Sequence, residues 1–421
     1  MIIFTTIIAI ITLILILAAI FIEQDYINKE SKLSYLEARK DVQEHRAIAD
    51  FSVLGKTTLL DRLASRAIPN KRLIEVFDLV NPFTTVSPTV YTQSVRTARN
   101  AIHAMDKDKW IDFFNSAEKV MEYLGGLGNP VPLTKIVRRL VFAAMLRPFF
   151  DVEPTKIAFG DILTATQLIN ELWVESKKTP RQDLQRHQER LQVALQRILP
   201  HCFPCQHKDH PLNIIIPAYE TMWRVVLLTY VSVGFRAIDE ETNEQFLRVV
   251  EAFPQCLDSG NDSELLGIAL NFAKEGLRLY PPTKRIRRAV PSDPLNPQSS
   301  SHVVAADVEK CHRDTRIWGA DAEVFRPSRF DNLTDAMKEA YMPFGAGKHQ
   351  CPTSSKFGYR AIIILVVVLA GRLGTQESGS RMRFKNRKLD EDLEEVLPSG
   401  RMDMEDWDLE RNLPDVGCVI S

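Results

Sequence analysis

One cysteine at the end of a glycine-punctuated loop constrains this chain more than any other feature. The stretch Phe344-Gly345-Ala346-Gly347-Lys348-His349-Gln350-Cys351-Pro352 has two glycines that permit a tight turn and a close backbone approach to a flat ligand. Cys351 stands at its end, seven residues after the aromatic. A mostly apolar run, Phe357 to Ala370, begins just beyond. The sulfur is therefore expected near a helix N-terminus, where backbone N–H groups favour negative charge. A thiolate held there is a strong axial donor, and the loop reads as a ligand for haem iron.

Two further patterns carry chemistry. Glu275 and Arg278 lie three apart, so a helix places them on one face, and neither can be buried alone without a cost of several kcal/mol. A buried ion pair is the expectation. Ile214 to Val233 is nearly uninterrupted apolar sequence carrying a polar island, Tyr219-Glu220-Thr221 with Trp223-Arg224. It reads as a long buried helix in which an acid beside a hydroxyl offers a proton path. Pro217 removes one helical hydrogen bond and is expected to bend that helix.

These motifs, in this order, resemble those of the cytochrome P450 family. Phe344, Gly345, Gly347, His349 and Cys351 fill its F-G-x-G-x-[HR]-x-C signature, and Glu275-Gly276-Leu277-Arg278 its E-x-x-R helix. Phe325-Arg326-Pro327-Ser328-Arg329-Phe330 matches its F-x-P-x-R-F segment, whose second arginine would close a triad of Glu275, Arg278 and Arg329. Glu220 and Thr221 match the end of [AG]-G-x-[DE]-T, from which Pro217 departs. The wording is most similar to microsomal, filamentous-fungal members.

The resemblance implies a mainly α fold with small β-sheets, the cytochrome P450 fold, preceded here by one N-terminal transmembrane helix. It implies haem b with Cys351 as axial iron ligand, cradled by Phe344, Gly345 and Gly347, and with His349 and Arg288 at the propionates. Trp110 stands where the family's W-x-x-x-R begins, but Phe114 replaces its arginine, so other donors must neutralise a propionate. Thr221 and Glu220 become the catalytic pair that holds oxygen and relays protons. The implied reaction inserts one oxygen atom from O2 into a small lipophilic substrate, as in secondary metabolite biosynthesis. Electrons would come from NADPH through a separate NADPH-cytochrome P450 reductase. A catalytically inactive pseudoenzyme and a reductase-independent haem-thiolate isomerase are the alternatives.

Met1 to Ile22 contains no charged residue and, as a helix, spans roughly 33 Å, enough to cross a bilayer. It is read as an anchor rather than a cleaved signal, because no positive leading end or small-residue exit accompanies it. Lys29, Lys32, Arg39 and Lys40 follow, which by the positive-inside tendency leaves the body in the cytosol, single-pass on the endoplasmic reticulum. The expected organisation is anchor 1–22, charged linker 23–50 and haem-thiolate domain 51–421, with a short N-terminal half.

With 421 residues and a net charge of −1, the chain has length for a large core and no nucleic-acid signal. Helices are expected from Thr84 through Leu199, broken at Gly125 to Pro130, and strands at Arg285 to Val290 and Val303 to Asp307 around a polar connection. Six cysteines suggest no disulfide framework. Cys202 and Cys205, flanked by His201, His207 and His210, have zinc-like spacing but no second pair, and a surface loop is the plainer reading. Gly55-Lys56-Thr57 lacks the glycine cradle of a phosphate loop. The terminal Cys418-Val419-Ile420-Ser421 formally matches a prenylation box, with the family's C-terminal strand as its rival.

Overall fold

Helices that are apolar on every side can only be satisfied inside other helices, and two such segments organise the structure. In the computed structural model, which describes residues 2–124, 128–178, 184–258, 264–293, 300–354 and 356–412, they are Trp223–Phe235 and Phe357–Leu373. Around them pack Lys107–Leu124, Leu133–Phe150, Glu240–Asp258 and Glu264–Leu279, each turning its apolar face inward. Ile362 to Leu369 are buried without interruption, so the apolar run after Cys351 is the central helix of the bundle.

The structure is mainly helical with two small antiparallel sheets. Strands β1 (Val131–Pro132), β4 (Arg381–Arg383) and β5 (Asp408–Glu410) form one, in the order β1-β5-β4. Strands β2 (Arg285–Pro291) and β3 (Ser301–Asp307) form the other, with Arg285 opposite Asp307 and Pro291 opposite Ser301. These are the two strands expected after the Glu–Arg helix, each longer by one or two residues. Part of the polar connection between them, 294–299, lies outside the described residues, as do Gly125 to Leu127, Cys418 and the rest of 413–421.

The N-terminal segment departs from the sequence expectation. Ile2–Ala49 is one helix, so residues 23–49, expected as a linker, continue it. No glycine or proline interrupts that stretch, and its Glu, Lys, Leu, Ala and Arg residues favour helix. Its last turns dock: Ala38, Val42 and Ala49 are buried with Ala306, Val308, Trp318 and Met342 in a second small core. Apart from Phe21, the side chains of the expected anchor lie outside the described residues. Among the described residues, Leu212–Phe235 is long and apolar enough to cross a membrane, and its most apolar stretch is 72% buried inside the protein.

Candidate active site

The cysteine loop closes on itself through its two glycines. Gly345 and Gly347 have φ of 78° and 68°, the left-handed region that side chains disfavour. The turn brings the Cys351 N–H to the Phe344 carbonyl at 3.0 Å. A Cβ on Gly347 would lie 2.7 Å from Cβ of Asp50, so the missing side chain also admits the end of the first helix. Cys351 is half-buried, with Sγ 3.1 Å from the Thr353 hydroxyl, and a short 3-10 turn, Pro352–Ser354, leads toward the central helix at Phe357.

Behind the loop sits a buried ion-pair cluster. Glu275 and Arg278 are fully buried, and Nε and Nη2 of Arg278 each donate to a Glu275 oxygen at 2.7 Å. Arg329 Nε reaches Glu275 Oε1 at 3.4 Å, and the backbone N–H of Arg326 donates to that oxygen at 2.9 Å. Arg278 also donates from Nη1 to the carbonyls of His312 and Ala322 at 2.7 and 2.6 Å. The charges that burial strips of water thus find partners on every side, which a buried charge requires. His312 carries the connection forward, with Nε2 accepting the backbone N–H of Met342 at 2.9 Å.

A cationic pocket lies on the other side of the loop. His349 Nε2 accepts from Arg62 Nε at 2.9 Å, which makes Nδ1 the protonated nitrogen, and it meets the Tyr91 hydroxyl at 2.8 Å. Burial, reinforced by Arg66, Arg62 and Arg288, pushes the imidazole down to about 4, so His349 is neutral at pH 7. The charge belongs to the arginines. Arg66 and Arg288 both lie over the Phe51 ring, at 5.3 and 4.0 Å, and donate only to backbone carbonyls, of Pro82 and of Arg287 and Ala49. Among the described residues no acidic side chain pairs with either. Burial lowers Arg66, with Tyr91 and Cys351 opposing, and burial followed by Arg66 lowers Arg288 to about 9.

Two buried guanidinium groups without an acid, beside a cysteine sulfur, are complementary to an anionic prosthetic group. They fit a haem, which Cys351 would hold through its sulfur and Arg66 and Arg288 would hold through its carboxylates. Arg62, Arg66 and Tyr91 escaped the sequence reading. Their signal was slight: Thr58 and Asp61 form a capping box that starts the helix Leu59–Ala67, placing Arg62 and Arg66 one turn apart. Trp110 is elsewhere, buried against Phe357 at 5.4 Å with Arg360 over its ring.

The bent helix holds the third group of residues. Pro217 opens a π-helical turn, Ile216–Glu220, between Leu212–Ile215 and Trp223–Phe235. Proline cannot bond the Asn213 carbonyl, which instead accepts the Asn81 side-chain amide at 3.4 Å. Thr221 donates to the Pro217 carbonyl at 2.7 Å. Glu220 is buried and ion-paired with Arg401, which donates to Asn170 Oδ1 at 2.6 Å. Among the described residues, no hydrogen bond or ion pair joins Glu220 or Thr221 to the cysteine loop.

The Cys202 and Cys205 thiols are pushed up by burial, and among the described residues no group of three or more His, Cys, Asp and Glu side chains is arranged to hold a metal ion. His207 pairs with Asp78 and His210 with Gln192 instead.

Comparison with known proteins gives one family. The family model described as Cytochrome P450 matches residues 248–352, a stretch holding Glu275, Arg278, Arg329 and Cys351. A bifunctional cytochrome P450/NADPH–P450 reductase of Bacillus subtilis is 35% identical over 115 residues, 26% of this chain and 11% of that protein. A probable cytochrome P450 of Drosophila melanogaster is 28% identical over 209 residues, 47% of this chain and 41% of that one. The chain thus spans less than half the length of these relatives. A 6-coordinated cytochrome P450 from Thermus thermophilus superposes with a TM-score of 0.52 at 15% identity, covering 74% of this chain and 80% of its own, a likeness of fold.

Proposed function

We propose that this chain, which belongs to the cytochrome P450 family, is a haem-thiolate monooxygenase acting on a small lipophilic molecule. The observation that carries the reading is the Cys351 loop set between a fully paired Glu275–Arg278–Arg329 cluster and a pocket of acid-free buried arginines. A haem held by Cys351 would supply oxygen activation, with the cysteine sulfur as its electron-donating ligand.

The chain's own residues divide the remaining work. Cys351 presents its sulfur from a loop whose shape depends on Gly345 and Gly347. Glu275, Arg278 and Arg329 hold that loop from behind, while Arg66 and Arg288 bind carboxylates and His349 keeps Arg62 and Tyr91 in place as a neutral spacer. Thr221 and Glu220 are the proton-relay pair, the hydroxyl at the helix bend and the acid held by Arg401.

Electrons come from NADPH through a cytochrome P450 reductase, a reading supported by the relative whose name joins the two activities. Met1 to Ile22 anchors the protein on the endoplasmic reticulum with its body in the cytosol, and the fungal wording of the motifs favours secondary metabolism. The deciding experiment is the carbon monoxide difference spectrum of the reduced, purified protein beside Cys351→Ser. A thiolate-type Soret band lost in the variant is expected, and an identical spectrum from the two proteins would sink the assignment.

A further inference from the structure

A cavity of about 540 Å³ opens between the helices Leu133–Phe150, Phe159–Glu175 and Leu184–Ile198 and the turn at Met402–Met404, and none of its lining residues belongs to the cysteine loop. Its most informative wall residue is Arg139. That side chain belongs to a residue only 8% exposed, and its guanidinium lies over the Phe159 ring at 5.2 Å. Among the described residues it has neither an acidic partner nor a hydrogen-bond acceptor. Burial alone lowers its proton affinity. A guanidinium that lines a cavity without an acidic partner is complementary to an anion entering from it.

The neighbouring charges decide which anion. Among the described residues, four cations line the cavity, Lys135, Arg138, Arg139 and Lys178, against three acids, Glu171, Glu175 and Glu405. Arg138 forks onto Glu405 at 3.0 and 2.7 Å, and Lys178 meets Glu175 at 3.2 Å, so both pairs are internally matched. Glu171 faces His187 at 3.8 Å. What remains among the described residues is Arg139 with Lys135, one helical turn apart on the same face and opposed by a single carboxylate. That balance matches one negative charge and would leave most of a polyphosphate's charge uncompensated. Leu163, Val174 and Met402 supply apolar wall for the rest of the ligand. Asn170, which lines the same cavity, accepts from Arg401, the partner of Glu220.

We propose that this cavity binds an amphipathic monocarboxylate, with its carboxylate on Arg139 and Lys135 and its hydrocarbon against Leu163, Val174 and Met402. The site stands independently of the oxygenase reading, since it is argued from residues outside the cysteine loop.

The test is calorimetric titration of the full, haem-loaded chain with decanoate and with decanol. Decanoate is expected to bind one to one and roughly tenfold or more tighter than decanol, weakening as salt rises. Arg139→Gln should bring decanoate down to the decanol level and leave decanol unchanged. If that variant does not fold, the exposed Lys135 decides: Lys135→Gln should weaken decanoate alone by roughly threefold to tenfold. Equal affinity for acid and alcohol, equal loss of both in the variants, or decanoate binding that shifts the Soret band and ignores Arg139 and Lys135 would each overturn the proposal.

Discussion

His312 accepts the backbone N–H of Met342 at 2.9 Å, two residues before the aromatic that opens the cysteine loop. Its other nitrogen donates to the Arg278 carbonyl at 2.9 Å, so one imidazole ties the Glu–Arg helix to the segment that carries the sulfur. The side chain is fully buried, and desolvation pushes it down to about 3. It therefore works as a neutral, two-ended hydrogen-bond clamp.

Replacing that clamp should loosen the loop. His312→Leu leaves a buried N–H and a buried carbonyl short of a partner, each costing about 1–3 kcal/mol. The urea midpoint should fall by the corresponding amount. Hydrogen exchange should quicken at residues 342–351 more than in the helix Trp223–Phe235, and equal quickening in both would count against the clamp.

Acid should destabilise the fold earlier than carboxylate titration alone would. His312 and His349 have folded values near 3 and 4, below the 6.5 of an unfolded histidine. Between pH 6.5 and those values the unfolded chain binds protons that the folded chain refuses, so stability is complete above pH 6.5 and falls as pH drops. Thermal midpoints measured from pH 7.5 to 4.5 should decline through this window. The decline should be shallower in a His349→Gln variant, and an unchanged slope would refute the assignment.

The acid-free arginines predict opposite effects with and without the prosthetic group. Arg66→Met or Arg288→Met removes an unpaired buried cation, so the haem-free protein should hold its stability or gain about 1 kcal/mol or more. The same variants should lose haem faster to a competing apoglobin. Parallel loss of both properties would mean that the arginines are structural and face no anion.

Glu220 and Arg401 should behave as a unit. Glu220→Gln strands a guanidinium that burial already pushes down to about 9, at a cost of about 3–5 kcal/mol. The double variant Glu220→Leu with Arg401→Met should recover most of that loss in urea denaturation. Additive losses would show that the two side chains are energetically separate.

How far these features could be read in advance depended on how local their physics is. The cysteine loop is legible because two positive φ angles, a backbone hydrogen bond and an exit into an apolar helix occur within a few consecutive residues. Glu275 and Arg278 are legible as a pair for the same reason, one helical turn. Pro217 announced a bend, and the missing N–H explains why a π turn forms there. By contrast, Glu23 to Ala49 carries good helix formers yet is charged, and only burial of Ala38, Val42 and Ala49 turns it into part of the body.

Chemistry written within one turn or one loop was therefore accessible from the residue order: the cysteine loop with its glycines, the ion pair, the two paired strands and the apolar central helix. Residues 62, 66 and 139 were not, because an arginine on a helix face has the same sequence appearance in water as in a dry pocket. Desolvation decides between those states, and desolvation is set by segments far away in the chain: Phe51 and Tyr91 around Arg66, Phe159 over Arg139, Arg401 against Glu220. Packing across such distances gave these charges partners or withheld them.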